Sequence, residues 1–189
     1  MPQTVPLALR GPFTVDDYHR MVEVGLLDED SRVELLDGLI VLMNPIGTPH
    51  QGCVNRLADL FFRAAAGRVT VSVQGPVRLD RRSEPQPDLA ILPYRKDGYA
   101  ERHPGPGDAL LLIEVMDSSG SRDRRLKVPL CARAGIRELW LVDLQEGRIE
   151  VCREPGPEGY ASIRRVSRGE QLTPHLLEDV TLSADDILG

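Results

Sequence analysis

The sequence predicts an α/β (α+β) fold in which helices pack against a mixed β-sheet. Two nearly continuous apolar runs, Asp88–Leu92 and Ala109–Val115, are typical of strands that are buried on both faces. One helix-like segment follows the second run, and three further strand-like segments come after that helix. This order of elements predicts a mixed sheet covered by helices. The 189 residues fit one domain, which we expect to span residues 1–189.

Charge, cysteine content and hydropathy narrow the class of protein. The net charge of −6 argues against tight binding of duplex DNA through bulk positive charge. The chain has three cysteines, Cys53, Cys131 and Cys152, and none of them forms a C-x-x-C motif. An odd number without this spacing excludes a disulfide scaffold and fits a reducing compartment. No apolar run is long enough for a membrane span, and the first residues lack the basic region of a secretory signal. We therefore expect a cytoplasmic protein that does not contact membranes.

Helix signals define the two helices in the N-terminal half. Thr14 is predicted to cap the first helix, with Asp17 completing a capping box and Gly25 ending it. Thr48 is predicted to cap the second helix, because proline follows it at the first helical position and Gly67 stands at the other end.

An N-terminal β-hairpin lies between these helices. Asp37-Gly38 separates two apolar runs, and this dipeptide is the strongest short signal for a two-residue hairpin turn. That turn pairs Glu34 with Val41 and places Glu34 on the same face as Leu36. A carboxylate in this position is buried or lies at the mouth of a cleft, and a buried carboxylate needs partners.

The later elements follow from alternation and turn residues. Alternating valines predict a half-exposed strand, and Ser121 is predicted to cap a helix that reaches Ala134. Pro129 predicts a kink in this helix or a late start near residue 127.

The last two predicted strands are expected at a sheet margin, where unprotected strand edges favour pairing with another chain. We therefore expect a homodimer or a larger homo-oligomer. The predicted strands are Val69–Val73, Glu138–Asp143, Arg148–Arg153 and Tyr160–Val166.

Acidic residues occupy the ends of the two most apolar strands. Asp88 begins the first of these runs, and Glu114 lies near the end of the second. Antiparallel neighbours would bring the two carboxylates together, whereas parallel neighbours would separate them by roughly 17 Å, five residues at about 3.3 Å each.

One lysine lies on the predicted core face of the following helix. Lys127 lies on the same side of the predicted helix as Leu130 and Cys131. The chain contains only two lysines among its 23 basic residues, so a lysine at this position is unusual. An ammonium group drawn towards the sheet needs a carboxylate or a phosphate. In isolation, Lys127 could instead extend to solvent along its aliphatic stem.

His50 is the remaining polar residue on an apolar face. It lies four residues before Val54, in the first turn of the second helix. The positive end of the helix dipole disfavours an imidazolium ion, so we expect a neutral His50 close to Glu34. A lone histidine in this position is more often a structural hydrogen-bonding group than a ligand. An isolated buried glutamate such as Glu34 has a purely structural role about half the time.

Asp88, Glu114 and Lys127 are more specific together than separately. Two or three carboxylates can hold a divalent cation, which polarises a phosphate and generates hydroxide from water. An adjacent lysine can orient that water or stabilise the charge that develops on phosphorus. A compact ammonium group would also explain why arginine is not used at this position.

The ordered motifs of this chain resemble the Uma2 family, which has a restriction-endonuclease-like PD-(D/E)XK core. The resemblance extends from about residue 13 to residue 188. It implies that Asp88 and Glu114 are metal ligands, and that Lys127 is a lysine displaced from the strand onto the helix. Glu34 and His50 match further polar positions of the family, whereas the usual lysine position of E-x-K is occupied by Met116. The matching segments are residues 33–38, 48–50, 87–90, 113–115 and 127–143.

Three functions remain open from the sequence. The leading interpretation is a nuclease dependent on Mg²⁺ or Mn²⁺ that cleaves nucleic acid. The acidic net charge and the absence of a dense basic patch favour a catalytically weak or inactive nuclease-fold module for binding or assembly. The third function is metal-dependent hydrolysis of another phosphoester. Only Arg81-Arg82 and Arg122–Arg125 are local candidates for phosphate contact, and both could be ordinary surface clusters.

Overall fold

A computed structural model describes residues 8–10, 13–28, 31–65, 67–116 and 120–189. Its largest element is a six-stranded sheet with the order β4-β5-β6-β7-β8-β9. β6 and β7 are parallel and are connected by helix α3, and every other neighbouring pair in this sheet is antiparallel. The predicted mixed sheet with packed helices is therefore confirmed. Its strands are β4 (Val69–Val73), β5 (Leu89–Pro93), β6 (Leu111–Met116), β7 (Glu138–Asp143), β8 (Arg148–Gly156) and β9 (Gly159–Ser167).

Two smaller sheets and four helices complete the described structure. A three-stranded sheet has the order β1-β3-β2, and a short two-stranded sheet pairs β10 with β11. The smaller strands are β1 (Ala8–Arg10), β2 (Val33–Leu36), β3 (Leu39–Leu42), β10 (Gln171–Leu172) and β11 (Leu182–Ser183). The helices are α1 (Val15–Glu23), α2 (Thr48–Ala65), α3 (Gly120–Arg133) and α4 (Ala184–Leu188).

The N-terminal helix and hairpin form as the sequence predicts. Thr14 caps α1, and the Asp17 carboxylate accepts the Thr14 backbone N–H at 2.9 Å, which completes the capping box. The β2–β3 hairpin turns at Asp37-Gly38 and pairs Glu34 with Val41. Both turn residues have positive φ, 49° for Asp37 and 77° for Gly38, as a tight hairpin turn of this type requires.

Two predicted helix starts are wrong, that of α2 by one residue and that of α3 by two. α2 begins at Thr48 itself, because the Gln51 backbone N–H bonds to the carbonyl of Gly47. α3 begins at Gly120, so Ser121 lies inside the helix and a late start near residue 127 does not occur. Pro129 also lies inside α3, where the apolar residues after it pack against the sheet. Helix ends fray, so a sequence specifies the first helical residue only to within one or two positions.

The strands of the large sheet divide the core between its two faces. Leu111, Ile113 and Val115 pack with α2 and α4 on one face. On the other face, Leu112 and Met116 pack with α3 and with Leu36 and Val41 of the hairpin. Strand alternation therefore points Glu114 towards α3 and the hairpin. A separate cluster of apolar residues joins α1 to the hairpin.

The cysteines and the sheet margin complete the comparison with the sequence. All three cysteines are free and buried, as expected for a chain without disulfides. β9 is the outermost strand of the large sheet, whereas β8 lies one strand further in. The prediction of a position at the sheet margin therefore holds for Tyr160–Val166 and is wrong for Arg148–Arg153, because β9 pairs with the outer edge of β8 as a long hairpin.

None of the described helices is both long and apolar enough to cross a membrane.

Candidate active site

Asp88 and Glu114 meet at adjacent strand ends. β5 and β6 are antiparallel with Leu89 opposite Ile113, so the next pair outward is Asp88 opposite Glu114. The Asp88 Oδ2 atom accepts the backbone N–H of Val115 at 2.8 Å, which fixes this carboxylate against β6. The expectation for antiparallel neighbours is therefore confirmed, and both carboxylates are buried to about the same degree, each 8% exposed.

Lys127 reaches these carboxylates from α3. Its Nζ atom lies 3.0 Å from Glu114 Oε1 and 3.1 Å from Glu34 Oε2. The residue is only 5% exposed, so its side chain does not extend to solvent. Met116 occupies the position two residues after Glu114 on the same strand face and packs into the core beside α3. The ammonium group therefore comes from the helix, while the strand position holds an apolar side chain.

Glu34 brings a third carboxylate from the hairpin. It is 2% exposed, and besides Lys127 its Oε2 atom accepts the backbone N–H of Gln86 at 3.1 Å. The Gln86 side chain in turn donates to the carbonyl of Val33 at 3.4 Å. Gln86 was missed in the sequence, although a polar residue between two prolines directly before Asp88 could have indicated a fixed backbone contact.

His50 lies beside Asp88. Its Nε2 atom is 3.1 Å from Asp88 Oδ2, and its side chain is 14% exposed. This contact joins the imidazole to Asp88, and Glu34 lines the same cleft as His50. Asp88 directly precedes the first residue of β5, and His50 lies in the first turn of α2. The contact therefore joins the start of the helix to the start of the strand. The neutral state of His50 stays a prediction.

The five candidate residues line a single cavity of about 80 Å³, which is called the cleft from here on. They are Glu34, His50, Asp88, Glu114 and Lys127. This volume holds several water molecules, since one water needs roughly 10–15 Å³ of such space. Arg32 and Asn44 also line the cleft, and Arg32 is exposed. Neither was identified from the sequence, because each lies in an irregular segment next to the hairpin, where no periodicity marks it.

The charges of the cleft do not balance. Among the buried side chains of the cleft, three carboxylates face one ammonium group, so full ionisation would leave two negative charges there. Burial raises the pKa of Glu114 to about 8, and the nearby Asp88 and Glu34 act in the same direction, while Lys127 opposes them. Such a site favours a proton or a cation at Glu114.

A divalent cation fits this set of donors. Mg²⁺ and Mn²⁺ prefer carboxylate, carbonyl and water oxygens, and the cleft offers carboxylate oxygens with space for water. A double positive charge would also balance the two excess negative charges. The residues of the cleft are therefore compatible with the ion that the sequence implied.

The two arginine groups considered as phosphate contacts, Arg81-Arg82 and Arg122–Arg125, do not line the cleft where the structure describes their side chains. Arg81 and Arg82 are in a surface turn, where Arg82 donates to the carbonyl of Asp37 at 3.2 Å. Arg124 is engaged with Glu150 at 2.8 Å, and the side chain of Arg122 lies outside the described residues. Among the residues that the structure describes, Arg32 is the arginine that lines the cleft.

The comparisons agree with the class that this fold and cleft define, a restriction-endonuclease-like α/β domain. Residues 15–185 match the model of the Uma2 family, which is described as "Putative restriction endonuclease", and the chain belongs to this family. The fold is similar to that of a protein from Anabaena variabilis ATCC 29413, described as a "putative nuclease belonging to DUF820". That similarity has a TM-score of 0.72 at 14% identity and covers 94% of this chain and 98% of the other. No curated protein matches the sequence.

Proposed function

We propose that this protein is a metal-dependent endonuclease that hydrolyses phosphodiester bonds in nucleic acid, with Mg²⁺ or Mn²⁺ as its cofactor. The observation that carries the proposal is the convergence of Asp88, Glu114 and Lys127. The two acids lie opposite each other on antiparallel strands, and the ammonium group is 3.0 Å from one of them. Membership of a family described in terms of restriction endonucleases supports the same function.

Asp88 and Glu114 would hold the ion. When bound, a divalent cation supplies Lewis acidity towards a phosphate oxygen and lowers the pKa of a coordinated water. Asp88 is pre-positioned for this role because the Val115 N–H and the His50 ring fix its Oδ2 atom. His50 is accordingly a positioning residue for Asp88, in direct contact at 3.1 Å.

Lys127 would act on the substrate side of the reaction. Its ammonium group can orient a water molecule for attack or donate a hydrogen bond to the oxygen on which negative charge develops. Glu34 fixes the direction of the lysine side chain, and the Gln86 N–H fixes Glu34 in turn. The exposed Arg32, which also lines the cleft, would contact a flanking phosphate of the nucleic acid.

A cleavage assay on purified protein tests the proposal. Single- and double-stranded DNA and RNA would be incubated with Mg²⁺ or Mn²⁺, and we expect cleavage of at least one substrate that EDTA abolishes. The matched control is Lys96→Ala, which removes the chain's other, exposed lysine and should leave the rate unchanged. If the wild-type protein neither cleaves any substrate nor binds either ion, the inactive binding or assembly module replaces the nuclease.

We also propose that the protein self-associates through β9. This strand is at the margin of the large sheet, and Ile163 on it is 49% exposed. An outer strand presents backbone donors and acceptors that a second copy can pair with. Light scattering at micromolar concentration should give at least twice the chain mass of 20.9 kDa. A mass of one chain would contradict the proposal, and Ile163→Lys should shift an oligomer towards that mass.

A further inference from the structure

A second group of possible metal ligands lies outside the cleft. His19 of α1, Glu84 of the segment before β5 and His103 of the loop before β6 each offer one donor atom to this group. These three atoms all lie within 4.8 Å of one another, and no other such group of three occurs within the described ranges. We call these residues the histidine cluster.

Glu84 is the residue that requires an explanation. It is 2% exposed, and its Oε1 atom lies 2.6 Å from His19 Nε2. The second oxygen, Oε2, is buried and finds no hydrogen-bond donor among the described residues. No described lysine or arginine forms an ion pair with Glu84. Burying a carboxylate with so little compensation is costly, whereas a bound cation would supply the missing positive charge.

The two imidazoles are placed to complete a coordination sphere. The His19 and His103 rings lie 5.8 Å apart between centroids and are nearly perpendicular, at 75°. His103 is exposed and the His19 side chain is 40% exposed, and both line an open surface cleft of about 550 Å³. An ion can therefore enter from solvent and retain water at its remaining positions.

Binding requires side-chain adjustments of about 1 Å. Ligands about 2.1 Å from a tetrahedral ion are roughly 3.4 Å apart, so His19 and Glu84, 2.6 Å apart, would separate by less than about 1 Å. Donor atoms as far apart as the 4.8 Å limit of the cluster would approach each other by up to about 1.4 Å. His19 can supply that movement, because its side chain is partly exposed and not confined by the core. Glu84 can remain in place, since its backbone N–H is bonded to the Leu35 carbonyl at 2.7 Å.

We propose that His19, Glu84 and His103 form a second metal site that takes a divalent transition-metal ion of the Zn²⁺ type. Two imidazole nitrogens and one carboxylate suit such ions and do not suit Mg²⁺, which prefers all-oxygen ligands. The ion would clamp α1 and the loop before β6 onto the segment from Glu84 to Asp88. With two nitrogen donors, the site is chemically distinct from the carboxylate set of the cleft.

Calorimetric titration of the chelator-treated full-length protein tests the site, with Zn²⁺ alone and Mg²⁺ alone as probes. We expect one Zn²⁺ per chain at the histidine cluster and no competition by Mg²⁺. His103→Ala and His19→Ala should weaken Zn²⁺ binding by at least about tenfold, since even second-shell changes cost about 10–100-fold. The matched control His175→Ala removes an exposed histidine outside the cluster and should leave binding unchanged.

Two variants separate loss of a metal ligand from loss of folding, and the histidine cluster from the cleft. Because His103 is exposed, His103→Ala should retain the wild-type circular dichroism spectrum, so lost binding would report on the ligand and not on folding. Asp88→Asn should retain the Zn²⁺ site. The proposal is overturned if the wild-type protein binds no Zn²⁺, if His103→Ala binds it as tightly as wild type, or if Asp88→Asn removes it. The last result would assign Zn²⁺ to the cleft.

Discussion

The cleft and the histidine cluster are two ligand sets built around one short segment. Glu84 and Asp88 are only four residues apart, yet Asp88 faces the carboxylates and the lysine while Glu84 faces two histidines. The cleft is built on β2, β5, β6 and α3, so regular hydrogen bonding fixes its carboxylates before any ion arrives. The histidine cluster rests on α1 and a loop, with two side chains open to solvent.

The comparison shows how placement and ligand type divide two roles. Oxygen donors on rigid strands favour Mg²⁺ or Mn²⁺ and hold it in a fixed geometry, as chemistry on a phosphate requires. Nitrogen donors on side chains open to solvent favour Zn²⁺ and can close around it, as a clamp requires. The two sites therefore differ both in donor chemistry and in how firmly the fold holds their ligands.

The largest expected effect comes from removing the carboxylates of the cleft. Asp88→Asn and Glu114→Gln should each reduce cleavage to the no-metal baseline and abolish binding of Mn²⁺, because each removes a charged ligand. Glu84→Gln should leave cleavage and Mn²⁺ binding intact. Cleavage rates and calorimetry with Mn²⁺ would measure both. Activity that survives in Glu114→Gln would place the reaction elsewhere or reveal a contaminant.

Lys127→Ala should have the next largest effect. Removing one positioned donor of positive charge typically costs about 10²–10³-fold in rate, and we expect that loss with Mn²⁺ binding retained. Lys127→Arg should not restore the full rate, because a planar guanidinium cannot reproduce a compact point charge. Single-turnover kinetics would measure the loss. A variant with normal rate would show that Lys127 only balances charge.

The smallest effects concern stability, where Zn²⁺ should separate the two sites. Without metal, Glu114→Gln and Glu84→Gln should each leave the free energy of unfolding unchanged or raise it by up to about 1 kcal/mol, because each removes a buried carboxylate charge that its surroundings disfavour. With Zn²⁺ at about 100 times its dissociation constant, the free energy of unfolding of Glu114→Gln should rise by about 2.7 kcal/mol, as in the wild type, whereas that of Glu84→Gln should rise less. Urea unfolding would measure each change, and an equal rise in both variants would contradict the contrast.

Much of the cleft could be predicted from the sequence because regular structure carries it. The Asp37-Gly38 turn determined the register that places Glu34, and helical periodicity placed Lys127 on the core face of α3. The direction of β5 relative to β6 stayed open, because a long loop can connect either arrangement. Gln86 and Arg32 were missed because backbone contacts in irregular segments leave no periodic signal.

The histidine cluster could not be predicted in the same way. His19, Glu84 and His103 are far apart in the chain and have no metal-binding spacing. Only the tertiary fold brings α1 and the loop before β6 to the segment that holds Glu84. The sequence did contain one weak signal, a lone glutamate beside prolines in a turn otherwise rich in arginine. The β10–β11 pair was missed for a different reason, since two-residue strands have no measurable alternation.

A crystal structure with Mn²⁺, using anomalous scattering to locate the ion, tests the central claim most directly. We predict one Mn²⁺ in the cleft that both Asp88 and Glu114 coordinate, with Lys127 close by but not a ligand. The histidine cluster should show no Mn²⁺ at concentrations that saturate the cleft. An ion bound only at the histidine cluster, or a cleft in which Lys127 stays paired to Glu114 with no ion, would contradict the account.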